Sequence, residues 1–331
     1  MKLTRRDVLK TIGAAVPAGL TLTNALPSFA EDVTVRCGWI GDTHFTDMYL
    51  LPQFLKDKSV QLSQEKFVLS QDEINALTAG SLDMAAVGYI FFLKMLDAGQ
   101  DVVAVSGVSE KGTRILLRNG VTVKSWAELA KLRIGIARGS TQDLQLRSAL
   151  IKHNIDLNSV NFVIFTNAVD MMVGLQRNLI DACSIWEPQA SKAIKDGIGT
   201  EFEKVYPYSW SSNGMLVVRG DFLKAHPAAV EAIVAALNAS STKLSADHAY
   251  WVEQALQFAP VAADVQKLAV ENSGQSVVLH YNDLVYMSKL MFEAGYLKHE
   301  VPLATIAAHV DYSILQKATG KTRMALGAPT A

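Results

Sequence analysis

The sequence is short of cysteine. Only two, Cys37 and Cys183, occur in 331 residues. Both lie inside apolar runs with strand character, where a free cysteine behaves as a small hydrophobic residue. A metal centre would need more ligands than these two thiols supply. We therefore expect two buried free thiols, no metal site and no cofactor.

Clustered charge is also missing. The chain carries 31 Lys and Arg against 32 Asp and Glu, a formal net charge of −1. Apart from the N-terminus the cations are scattered, so no basic face indicates a nucleic-acid partner. The sequence holds no G-x-S-x-G elbow, no phosphate-binding P-loop and no cluster of metal ligands. These absences argue against an enzyme, and we assign no catalytic residue.

No apolar run of membrane-spanning length follows the N-terminus. Residues 1–30 combine "TRRDVLK", a weakly apolar stretch and the small residues Ser28 and Ala30. That order is typical of an export signal, and the paired arginines indicate the twin-arginine type. We expect cleavage after Ala30 and a soluble periplasmic protein. A lipid-anchoring N-terminus is the alternative, although no cysteine lies near the cleavage site.

Strand-like runs alternate with helices from residue 32 to residue 220, beginning with "DVTVRCGW" and then "EKFVLS" at 65–70. Residues 221–331 are almost wholly helical in pattern. Such alternation predicts βα units with a mainly parallel sheet, so the expected fold class is α/β.

Two segments of the chain echo each other at a fixed offset, "DEINALTAGSLDMA" (72–85) and "DMMVGLQRNLIDAC" (170–183). Gly80 matches Asn178, and these two residue types best accept the left-handed end of a helix. Asp83 matches Asp181 before a buried strand. The echo predicts two similar α/β lobes whose strands end at one cleft. Any helix–turn–strand unit would give a similar pattern, which is the alternative.

Four stretches in order resemble the periplasmic substrate-binding proteins of ABC transporters for nitrate, sulfonates and taurine. That family also includes thiamine-pyrimidine binders and the related yeast pyrimidine synthase. The four stretches are "GWIGDTHFTDMYLL", "INALTAGSLDMAAVG", "KSWAELAKLRIGIARGSTQDLQL" and "LIDACSIWEPQASKAI". The text at 50–60 departs from the family pattern. The resemblance implies a type II periplasmic binding protein: two doubly wound lobes with a hinge, a helical C-terminal segment and an ABC permease as partner.

Chain order then places the first lobe at 31–118 and 212–331, and the second lobe at 119–211. The crossings between them are expected near Arg118–Gly120 and Ser209–Gly214, where Gly120 and Gly214 suit a bending chain. We expect a monomer.

Candidate ligand contacts follow the strands whose ends meet at the expected cleft. Each has a structural alternative. Asp42, Ser140 or Thr141 can cap a helix, and Glu187 before Pro188 suits a first helical turn. Trp186 can fill the core. The candidates are Trp39, Asp42, Thr43, His44, Tyr89, Gly139, Ser140, Thr141, Trp186, Glu187, Trp210 and Asn213.

The types of these residues narrow the ligand. A Gly–Ser–Thr loop before a helix favours an anion, while several indoles and phenols favour a ring or an organic chain. Asp42 and Glu187 favour an amine or a hydroxyl group. We expect a small organic ligand, such as a sulfonate, a taurine-like molecule or a pyrimidine-like ring. The alternatives are a lobe-closing enzyme related to pyrimidine synthases and a ligand-sensing periplasmic protein.

Overall fold

The computed structural model describes residues 32–329, so the predicted signal at 1–30 lies outside the described residues. Eleven strands occur in the described part. They are β1 (Val33–Ile40), β2 (Val60–Phe67), β3 (Met84–Gly88), β4 (Val102–Lys111), β5 (Thr113–Arg118), β6 (Arg133–Ile136), β7 (Asn161–Ile164), β8 (Ala182–Trp186), β9 (Gly199–Glu201), β10 (Ser212–Arg219) and β11 (Ser273–Gln275).

Fifteen α-helices lie in the same range. They are α1 (Thr46–Tyr49), α2 (Leu51–Phe54), α3 (Ser70–Thr78), α4 (Tyr89–Asp97), α5 (Trp126–Leu129), α6 (Thr141–Lys152), α7 (Ala168–Gln176), α8 (Gln189–Lys195), α9 (Gly220–Ala225), α10 (Pro227–Ala246), α11 (His248–Ala255), α12 (Ala263–Glu271), α13 (Tyr281–Glu293), α14 (Leu303–Ala308) and α15 (Tyr312–Thr319).

The strands form two sheets with the same internal plan. The first has the order β11-β4-β10-β3-β1-β2 and the second β7-β6-β8-β5-β9. In each, three strands run parallel (β2-β1-β3 and β7-β6-β8) and an antiparallel strand flanks them, β10 in one and β5 in the other. We call the six-stranded sheet with its helices the first lobe, and the five-stranded sheet with its helices the second lobe. The predicted fold class is confirmed.

The echo in the sequence marks equivalent places in the two lobes. Gly80 and Asn178 both have left-handed backbones, with φ of 79° and 58°. The Asp83 carboxylate accepts hydrogen bonds from the backbone N–H and the side chain of Arg36 on β1. Asp181 does the same with Arg133 on β6, at 2.8 Å from Nε. In each lobe the aspartate joins the loop before one parallel strand to its neighbour.

The crossings between the lobes correct the predicted boundary at residue 118. Residues 113–118 form β5, which pairs with β8 and β9 in the second sheet. The chain therefore leaves the first sheet at Lys111–Gly112, both with positive φ, and returns between β9 and β10. The prediction placed this strand in the first lobe because chain order under the family resemblance, with Gly120 as a bending point, put the crossing near Arg118–Gly120.

One other element differs from the sequence prediction. The second strand spans Val60–Phe67 rather than 65–70, because its buried Val60 lies opposite Val33 at the start of β1. The C-terminal segment is helical except for β11, which pairs with the edge of β4. Cys37 and Cys183 are buried and unpaired, as predicted.

Apolar packing divides along the same lines as the sheets. One cluster joins the first sheet to α10, α11, α13 and α15, and two smaller clusters cover opposite faces of the second sheet. Across residues 32–329, no helix is both long enough and apolar enough to cross a membrane.

Candidate ligand-binding cleft

A cleft of about 440 Å³ lies where strands of both sheets end, a size typical of small-molecule sites. Residues at or just beyond the ends of β1, β2, β3, β6, β7 and β8 form its walls, together with Asn213 of β10. Seven of the twelve predicted contacts line it. They are Asp42, His44, Gly139, Ser140, Thr141, Trp186 and Asn213.

The second lobe contributes the start of α6 and the loop before it. Ser140 Oγ accepts the Asp143 N–H at 3.2 Å, and Asp143 Oδ2 accepts the Gly139 N–H at 2.8 Å. Ser140 therefore caps α6, which was the structural alternative to a ligand contact, and it also lines the cleft. The N–H groups of Thr141 and Gln142 have no acceptor within α6, because they belong to its first turn. They carry the positive end of the helix dipole into the cleft.

The first lobe contributes a cation, Lys94 of α4. Its Nζ lies 3.3 Å from the Gly139 carbonyl oxygen, so it bridges the two lobes, and it lies 5.0 Å from the ring centroid of Phe91. Burial lowers the pKa of the Lys94 ammonium, while the Asp143 carboxylate opposes that shift. An ammonium has three N–H donors. Among the described residues its one acceptor is the Gly139 carbonyl oxygen, at 3.3 Å, which is long for a hydrogen bond. Lys94 thus presents unused donors to the cleft.

Asp42 and His44 follow β1 and line the cleft from the first lobe, the lobe that also contributes Lys94. Asp42 Oδ1 accepts the His44 N–H at 2.9 Å and lies 3.3 Å from His44 Nδ1. His44 is almost fully buried, and its Nε2 has no hydrogen-bond partner among residues 32–329. The imidazole lies against the first crossing, where a Cβ on Gly112 would come within 1.7 Å of Nε2. The pair therefore connects the cleft wall to the crossing.

Apolar side chains line the rest of the cleft. Phe45 and Phe91 come from the first lobe, and Phe165 and half-buried Trp186 from the second. At the mouth, Val68 is 87% exposed and Ile164 is 59% exposed. Exposed apolar groups at the mouth of a partly cationic site favour an organic ligand over an inorganic ion.

The other predicted contacts lie outside the cleft lining, since each side chain has partners elsewhere. The Trp39 ring packs on Phe258 at 4.9 Å, and the Trp210 ring packs on Tyr286 at 5.7 Å. The Tyr89 hydroxyl accepts the His280 N–H at 3.2 Å. Thr43 Oγ1 accepts from Gln266 Nε2 at 2.9 Å. Tyr89 was expected to project into the cleft, but its side chain is completely buried and does not line the cleft.

Glu187 is fully buried, but not towards the cleft. Oε1 accepts from Arg114 Nη1 at 2.9 Å, and Oε2 accepts the Ser191 N–H in the first turn of α8 at 2.9 Å. Burial raises the pKa of this carboxyl, and Ser191 and Arg114 oppose the shift. The structure thus favours the alternative of a residue at a helix start over a ligand contact. The sequence missed the ion pair because Arg114 belongs to the strand that it placed in the first lobe.

Sequence reasoning also missed Lys94 and Arg138, the two cations that line the cleft. A signal for Lys94 was present. In "YIFFLKMLD" it is the one cation of a mainly apolar helix, and a cation there has to find an acceptor or a cavity. With Asp42 as the one acidic side chain among the lining residues, the charged groups of the cleft favour an anion.

The chain belongs to the NMT1-like family, whose model matches residues 30–272. A protein of Brucella abortus (strain 2308) named as a binding protein is 26% identical over 227 residues, covering 64% of this chain and 68% of that protein. A protein of Escherichia coli (strain K12) named for the binding of aliphatic sulfonates is 27% identical over 196 residues, covering 58% of this chain and 60% of that protein.

Solved structures show the same fold. The alkanesulfonate-binding protein of Xanthomonas axonopodis pv. citri, bound to MOPS, superposes with a TM-score of 0.74 at 19% identity, covering 85% of this chain and 99% of that one. At this identity the likeness establishes the two-lobed binding-protein fold and leaves the ligand to be argued from the cleft.

Proposed function

We propose that this protein is a periplasmic solute-binding protein that binds a small organic anion and delivers it to an ABC importer. A sulfonate is the preferred class of ligand. The observation that carries the proposal is the juxtaposition of Lys94 from one lobe with the start of α6 from the other. An acidic group between them would receive charge-assisted hydrogen bonds from the ammonium and backbone N–H groups.

The organic part of the ligand is assigned to the apolar wall. Phe91, Phe165 and Trp186 flank the cationic groups within the same cleft. In a sulfonate with an alkyl or aryl chain, the sulfonate group can bind the cationic groups and the chain can pack on the aromatic rings. A bare anion would leave the rings without an apolar partner. The relatives named for aliphatic sulfonates and alkanesulfonates support this class of ligand. The argument for an amine weakens, because Glu187 already pairs with Arg114.

Binding is proposed to close the two lobes over the ligand. The first lobe then comprises 32–111 with 212–329 and the second 113–211, with Gly112 at one crossing. Ligand contacts supplied by both walls favour the closed arrangement, so the ligand shifts the balance towards it. The closed form is proposed to dock on the importer's permease, with the binding protein acting as a monomer.

Export is proposed through the twin-arginine signal at residues 1–30, cleaved after Ala30. Replacing both Arg5 and Arg6 by lysine tests this, because the twin-arginine route reads the arginine pair. Retention of the variant in the cytoplasm supports it, and normal processing in the periplasm contradicts it.

Calorimetric titration tests the binding function. The mature protein is titrated with hexanesulfonate, taurine, nitrate and a pyrimidine. Saturable binding of hexanesulfonate at one site supports the proposal. Binding of nitrate with no organic sulfonate bound, or chemical turnover of any of the four, contradicts it.

A further inference from the structure

Tyr296 spans the two lobes at a point outside the cleft lining. It follows α13, its backbone N–H donates to the Met291 carbonyl at 2.8 Å, and its ring packs on the apolar core of the first lobe. Its hydroxyl reaches the second lobe, where it donates to Asp143 Oδ2 at 2.6 Å. The phenol is therefore anchored in one lobe and hydrogen-bonded in the other.

The acceptor, Asp143, braces the loop that we assign to the anion. It is fully buried, and Oδ2 accepts both the Tyr296 hydroxyl and the Gly139 N–H, while Oδ1 accepts from Arg147 Nε at 2.8 Å. One oxygen atom thus joins the first lobe to the loop before α6. A shift of the Tyr296 hydroxyl therefore moves Asp143 Oδ2, or removes the hydrogen bond that offsets its negative charge, and Asp143 Oδ2 is the acceptor of the Gly139 N–H.

The hydrogen bond from Tyr296 also acts on the negative charge of Asp143. A carboxylate in the first turn of α6 opposes an anion bound at the same helix start. The hydroxyl of Tyr296 and the guanidinium of Arg147 donate to it and offset that charge. Burial and the nearby Asp143 carboxylate raise the pKa of Tyr296, so the hydroxyl keeps its proton at neutral pH.

Two arginines lie over the ring of Tyr296. The guanidinium carbons of Arg138 and Arg147 each lie 5.5 Å from the ring centroid of Tyr296, within the range of a cation–π contact. Arg138 lines the cleft. The same ring therefore helps to place a cleft cation as well as the loop.

We propose that Tyr296 is a positioning residue that couples the arrangement of the lobes to the anion-binding loop Gly139–Gln142. In this role it fixes the Gly139 N–H through Asp143 and raises the affinity of the loop for an anion. The effect on affinity rests on the proposed function, whereas the effect on the loop does not.

The test compares Tyr296→Phe with Tyr286→Phe. The Tyr286 hydroxyl also joins α13 to α6, at 3.0 Å from Ser148 Oγ, but it touches neither Asp143 nor the loop. Both variants lose one hydroxyl between the same two helical regions. Hydrogen–deuterium exchange of the Gly139–Gln142 peptide is measured without ligand, and hexanesulfonate affinity is measured by calorimetry.

We expect faster exchange of the loop in Tyr296→Phe than in Tyr286→Phe, and a loss of affinity of about 3- to 10-fold in the former alone. This is less than the full effect of a hydrogen bond to a charged group, because Tyr296 acts on the ligand only through Asp143. Equal exchange in the two variants overturns the proposal. If hexanesulfonate fails to bind even the wild-type protein, the proposed ligand class is wrong, and the exchange comparison alone decides the role of Tyr296.

Discussion

Lys94 Nζ lies 3.3 Å from the carbonyl oxygen of Gly139, a contact that joins a helix of the first lobe to the loop before α6 in the second, where we propose that the anion binds. The ammonium is partly buried and has one acceptor among the described residues, a state that a bound anion would stabilise. This pair links the fold to the proposed function, because the same cation bridges the lobes and faces the cleft.

Replacing Lys94 by methionine is expected to weaken hexanesulfonate binding by about 10- to 100-fold, the range for a charge-assisted hydrogen bond. Methionine keeps most of the side-chain length, so the free energy of unfolding is expected to change little. Calorimetry and urea unfolding check the two parts. Lys289→Met, on the exposed face of α13, is the matched control. Equal affinity in the two variants removes Lys94 from the site.

The affinity for the anion is expected to fall at alkaline pH. Burial lowers the pKa of Lys94, so the ammonium loses its proton earlier than an exposed lysine as the pH rises. A bound anion raises the pKa again, so binding takes up protons in that window. Titrations in buffers of different ionisation enthalpy measure this uptake. The Lys94→Met variant is expected to show none, and the same uptake in both proteins would refute the assignment.

Trp186 and Glu187 are neighbours in sequence but are expected to respond differently to truncation. Trp186→Ala should lower hexanesulfonate affinity by about 3- to 10-fold through loss of an aromatic wall. Glu187→Ala leaves the buried Arg114 with Glu201 as its remaining partner, so it should reduce the free energy of unfolding by about 3 kcal/mol. Its affinity, measured on the folded fraction, should stay near that of wild type. A large loss of hexanesulfonate affinity in Glu187→Ala, with an unchanged free energy of unfolding, would show instead that Glu187 contacts the ligand.

Glu73 is expected to make stability depend on pH. Its carboxyl is fully buried on α3, neither oxygen has a hydrogen-bond partner in the described range, and burial raises its pKa well above the usual range. The folded protein therefore holds a proton that the unfolded chain releases, so the free energy of unfolding falls as the pH rises above the unfolded pKa.

Glu73→Gln keeps the shape of the protonated acid and should flatten this pH dependence. Urea unfolding at about pH 5 and about pH 8 measures it. Glu253→Gln, on the exposed face of α11, is the control and should follow the wild type. Parallel stability curves for all three proteins would contradict the account.

The sequence was most informative where local geometry decides the residue. Gly80 and Asn178 end their helices with a left-handed backbone, as their chemistry predicts. The match of Asp83 with Asp181 in the sequence predicts two similar lobes, and the structure has two sheets of the same plan. Ser140 was recognised as both a cap and a cleft residue for the same local reason.

Contacts between distant segments could not be read in the same way. The partner of Glu187 is Arg114, which is distant in sequence and on a strand that pairs with β8 only in the folded sheet. The burial of Trp39 depends on Phe258 in the helical C-terminal segment. Aromatic residue type alone does not distinguish a cleft wall from a core, since both favour the same side chains.

Calorimetric titration of the mature protein with hexanesulfonate and with hexylammonium tests the central claim most directly. The two probes share an apolar chain and differ in the sign of their charge. We predict binding of hexanesulfonate at one site and no detectable binding of hexylammonium, because Lys94, Arg138 and the start of α6 face the cleft. Tight binding of hexylammonium without hexanesulfonate would contradict the account.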